Sequence, residues 1–245
     1  MNARRVWING SERSGMLGVY GKHPAFGDFI SYGVTSCFQS EVEPWVGQVM
    51  AQTRDHLGDR WASTYDTALP LRFWIGANIF GGGDMRGVLL ASRDKVGRRY
   101  PLVIVQEAPQ LPAPVLDKDQ SFYDAVQAQL EKTMDETVET ATDLVAGLEA
   151  VNTIAPANNE PVAESATFWA ANPDLQVEGL LDAVSETDRQ QATAHRSYWW
   201  AAGREPHASV FLATQGLPDS AQMAWLLSGI VAQELVGESI LEAEG

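Results

Sequence analysis

The sequence predicts an α/β fold: a single domain with a mixed central β-sheet flanked by helices on both faces. Three observations predict it. Short apolar, β-branched runs alternate with stretches of helical periodicity along the 245 residues. Strand-like runs occur in both halves, and neither half holds a complete set of elements. One run, Leu102-Val103-Ile104-Val105, is continuously apolar, as expected of a strand buried on both faces.

Taken in order, Met16 to Tyr20 reads as a strand, and Gly21 to Gly27, with two glycines and a proline, as a loop. Phe38, Val42, Trp45, Val46, Val49 and Met50 recur at helical spacing between Cys37 and Leu57. Ser36 or Ser40 is the expected N-cap. Pro44 requires the helix to start near it or kink there, and Gly58 stops it. Leu71 to Ile75, Met85 to Ala91 and Leu102 to Val105 read as three strands, with a glycine turn at 80–84 and a charged loop at 92–101. A proline-bearing link at 108–119 leads to a long amphipathic helix expected over about 121–150. A surface loop over 152–163, a short helix over 174–184, strands at 197–201 and 209–213, and a last helix from Asp219 or Ser220 complete the chain. Residues 1–14 are expected to be a flexible arm and 15–245 the folded domain.

The charge is unevenly spread. Residues 1–105 hold 12 Lys and Arg against 9 Asp and Glu; residues 106–245 hold 5 against 23, and the whole chain carries −15. That balance argues against nucleic-acid binding, where cationic charge supplies most of the affinity. The acidic half reads as a solubilising surface or as a means of steering toward a basic partner. No apolar run approaches the roughly 20 residues needed to span a bilayer. Arg4 and Arg5 are followed by polar residues and not by an apolar core, so no signal peptide and no membrane insertion are expected. Cys37 is the only cysteine, and nothing calls for an oxidising compartment. The cytoplasm is the expected location.

Each catalytic template fails on spacing. Gly21-Lys22 is half of a phosphate loop, but His23-Pro24 follows and no glycine stands at the required distance before it. His23, His56, His195 and His207 form no metal-binding pair at helical spacing. There is no Gly-x-Ser-x-Gly elbow, and Cys37 beside Phe38 fits helix packing. Asp28 could act as a general base only within a cleft. Arg93-Asp94-Lys95-Val96-Gly97-Arg98-Arg99 could hold an acidic or phosphorylated partner, since arginine forks match carboxylate and phosphate. Alternatively Asp94 caps a turn while Arg98 pairs with an acid such as Asp28. Tyr198-Trp199-Trp200, with Trp45, Trp61, Trp74 and Trp169, reads as core, the two adjacent tryptophans facing opposite sides of a strand. No metal and no cofactor are expected.

Several segments together resemble one family. Gly21-Lys22-His23-Pro24-x-x-Gly27-Asp28-Phe29 is similar to the Gly-Lys-Leu-Pro-x-x-Gly-Asp-Phe signature of the TagF family, and Asp94-Lys95-Val96-Gly97-Arg98-x-Tyr100-Pro101-Leu102 to its Asp-Arg-Val-Gly-Arg-x-Phe-Pro-Leu segment. Trp45, Leu57-Gly58, Trp61, Tyr65 and Arg72-Phe73 fall where that family has similar residues, as do Tyr198-Trp199-Trp200 and Gly216-Leu217-Pro218. His23 replaces the usual leucine, Tyr32 a common arginine and Val34-Thr35 a common Leu-Pro. The resemblance is strongest over about 17–105. It implies a non-enzymatic, cytoplasmic, post-translational repressor of a bacterial type VI secretion system, acting on a machine component such as the forkhead-associated scaffold protein. The candidate partner-binding or structural motif is Lys22, His23, Pro24, Gly27, Asp28 and Phe29 with Asp94, Lys95, Gly97 and Arg98. The competing reading is a hydrolase or nucleotide-dependent enzyme with a pocket around Lys22, Asp28 and Arg98.

Overall fold

A computed structural model describes residues 17–135, 137–148 and 177–231. The expected arm at 1–14, the loop at 152–163 and Trp169 lie outside the described residues. Among the described residues, seven strands form one sheet: β1 (Leu17–Gly21), β2 (Ile30–Tyr32), β3 (Leu71–Ile75), β4 (Asp84–Leu90), β5 (Leu102–Ala108), β6 (Arg196–Ala201) and β7 (Val210–Gln215), in spatial order β2-β1-β5-β4-β3-β6-β7. The α/β class and the central sheet are as expected. Every described pairing is antiparallel, so the fold mixes helices with strands and not strand directions. β2 is too short to show a period of two in sequence, and the expected strands do not include it.

Helices cover both faces, as expected. On one face α1 (Glu43–Leu57), α2 (Trp61–Thr67) and α5 (Ser220–Ser228) bury Val46, Val49, Met50, Tyr65, Met223 and Leu226 against Phe73, Val103 and Trp199. On the other, α3 (Ser121–Asp135) buries Phe122, Val126 and Leu130 against Trp74, Val88, Ile104 and Trp200. Strand alternation therefore sends Phe73 and Trp199 to one side and Trp74 and Trp200 to the other. Buried indole N–H groups need acceptors. Trp74 donates to the Leu111 carbonyl, Trp199 to Ser197 Oγ and Trp200 to Gln120 Oε1. Arg72 leaves β3 on the α3 side, where its guanidinium donates to Gln120, Asp124 and Gln127 and pins the helix to the sheet.

Pro44 lies in the first turn of α1, at its junction with the helical segment before it. A wide π-helical turn, Phe38–Val42, precedes it. The cap of this segment is Thr35, whose Oγ1 accepts the Phe38 N–H at 3.1 Å, in place of the expected Ser36 or Ser40. Thr35 is fixed there by donating its hydroxyl proton to Glu107 on β5. The helix expected from Asp219 or Ser220 is α5, capped by Asp219, which shares a capping box with Gln222.

The helix expected over 121–150 is instead α3, ending at Asp135, followed by a separate 3₁₀ turn at Ala141–Val145. Thr137, Val138, Thr140 and Thr142 are β-branched and disfavour helix. Thr140 and Asp143 form a capping box that starts the new turn, with Asp143 accepting the Thr140 N–H at 2.7 Å. Conversely α4 (Val177–Ala194) continues ten residues past the expected end at 184. Its last turns bury Gln191 and Thr193, polar residues that a search for apolar periodicity passes over. Among the described residues, no helix is long and apolar enough to cross a membrane.

The β1–β5 pairing brings backbone against backbone at Gly21, where φ is +128° and a Cβ would lie 2.0 Å from the Pro101 carbonyl oxygen. Gly21→Ala should therefore lower stability by about 2 kcal/mol or more, read as a reduced urea midpoint with an unchanged slope; an unchanged midpoint would contradict this close approach.

Candidate functional site

The register places the end of β1, the start of β2, the end of β4 and the start of β5 side by side: Gly21 pairs with both Ile30 and Leu102, and Leu102 with Leu90. The loops at 22–29 and 91–101 therefore emerge at the same end of the sheet. The two segments singled out in the sequence meet there.

Their meeting point is the Asp94 carboxylate, which is buried. Oδ1 accepts the backbone N–H groups of Val96 at 3.1 Å and Arg98 at 2.9 Å. Oδ2 accepts from Lys22 Nζ at 3.0 Å and Arg98 Nε at 2.5 Å. Aspartate is suited to this role because its short side chain reaches the amides of its own turn. That turn is closed by the Gly97 N–H on the Asp94 carbonyl at 2.9 Å, and Gly97, at φ +86°, adopts the left-handed conformation it needs. Burial by itself would raise the Asp94 carboxyl. The Arg98 amide, the Lys22 ammonium and the Arg98 guanidinium outweigh it and hold the carboxyl well below the usual carboxylate range.

Further bonds tie loop to loop. The Lys95 N–H donates to the Phe26 carbonyl at 2.8 Å, and Arg98 reaches the Gly27 carbonyl at 2.9 Å. Pro24 occupies the second position of a turn closed by the Phe26 N–H on the His23 carbonyl at 2.9 Å, a position that its fixed φ favours. The Lys22 ammonium also lies 4.9 Å from the centre of the Phe29 ring, which packs edge-on against Tyr100 at 4.7 Å. Phe29 remains 46 % exposed.

His23 is buried and uses both ring nitrogens. Nδ1 accepts the Ala25 N–H at 3.1 Å, which leaves the proton on Nε2, and Nε2 donates to the Thr133 carbonyl at 2.9 Å. Thr133 stands in the last turn of α3, where carbonyls lack helical partners. His23 thus joins the loop to α3, a bond that a leucine in its place could not make. Burial pushes its pKa below the ordinary 6.5, against the pull of the Thr133 carbonyl.

The structure thus brings Lys22, Asp94 and Arg98 together and places His23, Pro24, Gly27, Phe29, Lys95 and Gly97 around them. Asp28 is not part of the ion cluster. It is exposed, and its Oδ1 accepts the Phe29 N–H at 2.8 Å. The expected Arg98–Asp28 pair is therefore replaced by Arg98–Asp94, because the buried carboxylate is the one that needs a cation. The capping role expected of Asp94 is present. What the sequence reading missed is the partner of Lys22; the Asp-x-x-Gly turn signature pointed to a capping aspartate but not to a lysine 72 residues away.

The remaining candidates sit apart. Cys37 is half-buried, and burial, with Glu107 and Glu41 nearby, pushes its thiol up to about 11. His56 is exposed on α1, and His195 meets Asn78 at 3.3 Å. Among the described residues, no three His, Cys, Asp or Glu are grouped as metal ligands.

The match of this chain to a family model places it in the class of type VI secretion-associated proteins. Residues 18–151, more than half of the chain, match the family described as TagF N-terminal domain, Type VI secretion system-associated, and the chain belongs to that family. It is also similar to the crystal structure of PA0076 from Pseudomonas aeruginosa PAO1, with 26 % identity and a TM-score of 0.67 over 87 % of this chain and 94 % of that one. No curated protein matches the chain.

Two outcomes follow from this geometry. Asp94→Ala strands the Lys22 ammonium and should cost about 3–5 kcal/mol. Lys22→Met leaves Asp94 with Arg98 and two amides and should cost about 1–2 kcal/mol; equal losses in urea titrations would contradict a shared carboxylate. Protonating His23 would set a ring N–H against the Ala25 N–H. Because the folded pKa is depressed, the unfolded chain binds the proton more readily, so stability is full above about 6.5 and falls as pH drops below it. The difference in stability between the wild type and His23→Gln should shrink from pH 8 to pH 5; a constant difference would contradict the neutral tautomer.

Proposed function

We propose that this chain is a non-enzymatic repressor of a type VI secretion system. It acts in the cytoplasm, after translation, by holding a component of the machine. The observation that carries this reading is membership of a secretion-associated family, whose matched residues, 18–151, contain both tied loops. The partner the family resemblance implies is the forkhead-associated scaffold protein. Residues 15–245 act as one domain in this reading, in keeping with a sheet whose strands run from Leu17 to Gln215.

The geometry favours binding over chemistry at this end of the sheet. The enzyme reading needs Lys22, Asp28 and Arg98 around one pocket. Lys22 and Arg98 instead turn onto Asp94, and Asp28 faces solvent. Such an arrangement fixes the shape of a surface, which is what recognition by a folded partner requires.

Deleting the gene should raise the amount of type VI substrates in the culture supernatant while the levels of the machine's components stay the same. Unchanged secretion, or a rise explained by higher component levels, would overturn the reading.

A further inference from the structure

We infer that the chain takes its partner on the surface formed by Phe29 and Val96 and rimmed by Arg93, Lys95 and Arg98, and that the partner segment there is acidic and carries a large apolar side chain. The inference rests on the binding role proposed above and names the face and its chemistry.

Phe29 is 46 % exposed and Val96 72 %. Exposed apolar side chains are ordinary when scattered over a mobile surface. These two stand on loops that are bonded to each other at one end of the sheet, and neither is loosely held. Val96 sits at the tip of a turn whose N–H groups are gripped by Asp94, and Phe29 is backed by Tyr100 and by the Lys22 ammonium that Asp94 also binds. One buried carboxylate thus fixes both apolar groups before any partner arrives. Pre-ordering of that kind lowers the entropy lost on binding.

The charges supply the second half of the argument. Arg93, Lys95, Arg98 and Arg99 are all exposed. Arg99 is held by Asp66 through two bonds, at 2.8 and 2.6 Å. Asp94 is buried, so Asp28 is the only exposed acid within the two loops. On a chain of net charge −15, the two loops are thus locally cationic, with Arg93, Lys95 and Arg98 exposed against Asp28. At physiological salt, charges act over about 8 Å, so the rim and not the distant acidic half sets what a docked segment meets. An acidic segment with one large apolar side chain complements it. Nucleic acid fits poorly, because a phosphate backbone extends beyond these few cations and offers no large apolar side chain to Phe29 and Val96.

The test uses the full chain, affinity-tagged, in its own cells. A benzophenone amino acid replaces Val96 in one strain and Val115 in another; Val115 is 48 % exposed and follows β5 at the opposite end of the sheet. Cross-linked peptides are identified by mass spectrometry. The expected result is cross-linking from position 96, and not from 115, to a net-negative segment of a secretion component that contains a large apolar residue. Combining Arg93→Glu with Lys95→Glu, two side chains outside the Asp94 cluster, should lower the yield about tenfold, with a smaller loss at high salt. An unchanged thermal midpoint for this double variant shows that it folds. Cross-linking of a secretion component from 115 alone would leave the binding role standing and overturn this surface. Cross-linking from 96 to a neutral or basic segment, to nucleic acid or to a second copy would overturn the partner chemistry. Recovery of no secretion component by either chain or by the tagged wild type would overturn both readings.

Discussion

A carboxylate removed from water must be surrounded by donors, and in this chain that requirement organises one whole end of the sheet. Asp94 is buried among two backbone amides, an ammonium and a guanidinium, and these come from different loops. A buried ion pair is seldom a net source of stability compared with apolar packing. Its value here is geometric. A loop that contributed only apolar contacts could slide, whereas Lys22 and Arg98 can satisfy the Oδ2 lone pairs in few arrangements. The shape of the 22–29 loop is thereby set by the 94–98 turn.

The rest of the architecture serves that junction. Antiparallel pairing of β5 with both β1 and β4 delivers the two loops to the same end of the sheet, and Gly21 allows the β1 and β5 backbones to approach closely enough for the Lys22 N–H to reach the Pro101 carbonyl at 3.3 Å. Below the loops, Tyr20, Phe29 and Tyr100 form a contiguous aromatic group that leads into the core. To one side, His23 fastens the loop to the last turn of α3, which Arg72 fastens in turn to β3. The exposed face is therefore an extension of the core and not an appendage to it.

Much of this was legible in the sequence where the signal is local. The continuous run at 102–105, the helical spacing from Phe38 to Met50, the Pro44 start and the Gly58 stop each report on a few neighbouring residues, and each corresponds to an element in the structure. Trp199 and Trp200 were readable as residues of opposite faces because a strand alternates. The long-range pairings were not readable. Arg98 had several acids to choose from, and burial, which the sequence does not display, decided for Asp94 over Asp28. The ends of α3 and α4 are hidden in the sequence for a related reason. A capping box at Thr140 and Asp143 overrides apolar spacing, and a polar buried face at Gln191 and Thr193 hides it. The two loops could be paired as conspicuous segments, but which atoms join them follows only from the sheet register.

If one carboxylate holds both loops, they must loosen together. Amide hydrogen exchange on the folded Asp94→Asn chain measures this directly. The account predicts that the amides of Phe26 in the first loop and of Lys95, Val96 and Arg98 in the second lose protection by a similar factor, while those of β5 do not change. Loss of protection confined to 95–98, with Phe26 as protected as before, would show that the two loops are neighbours without being one unit.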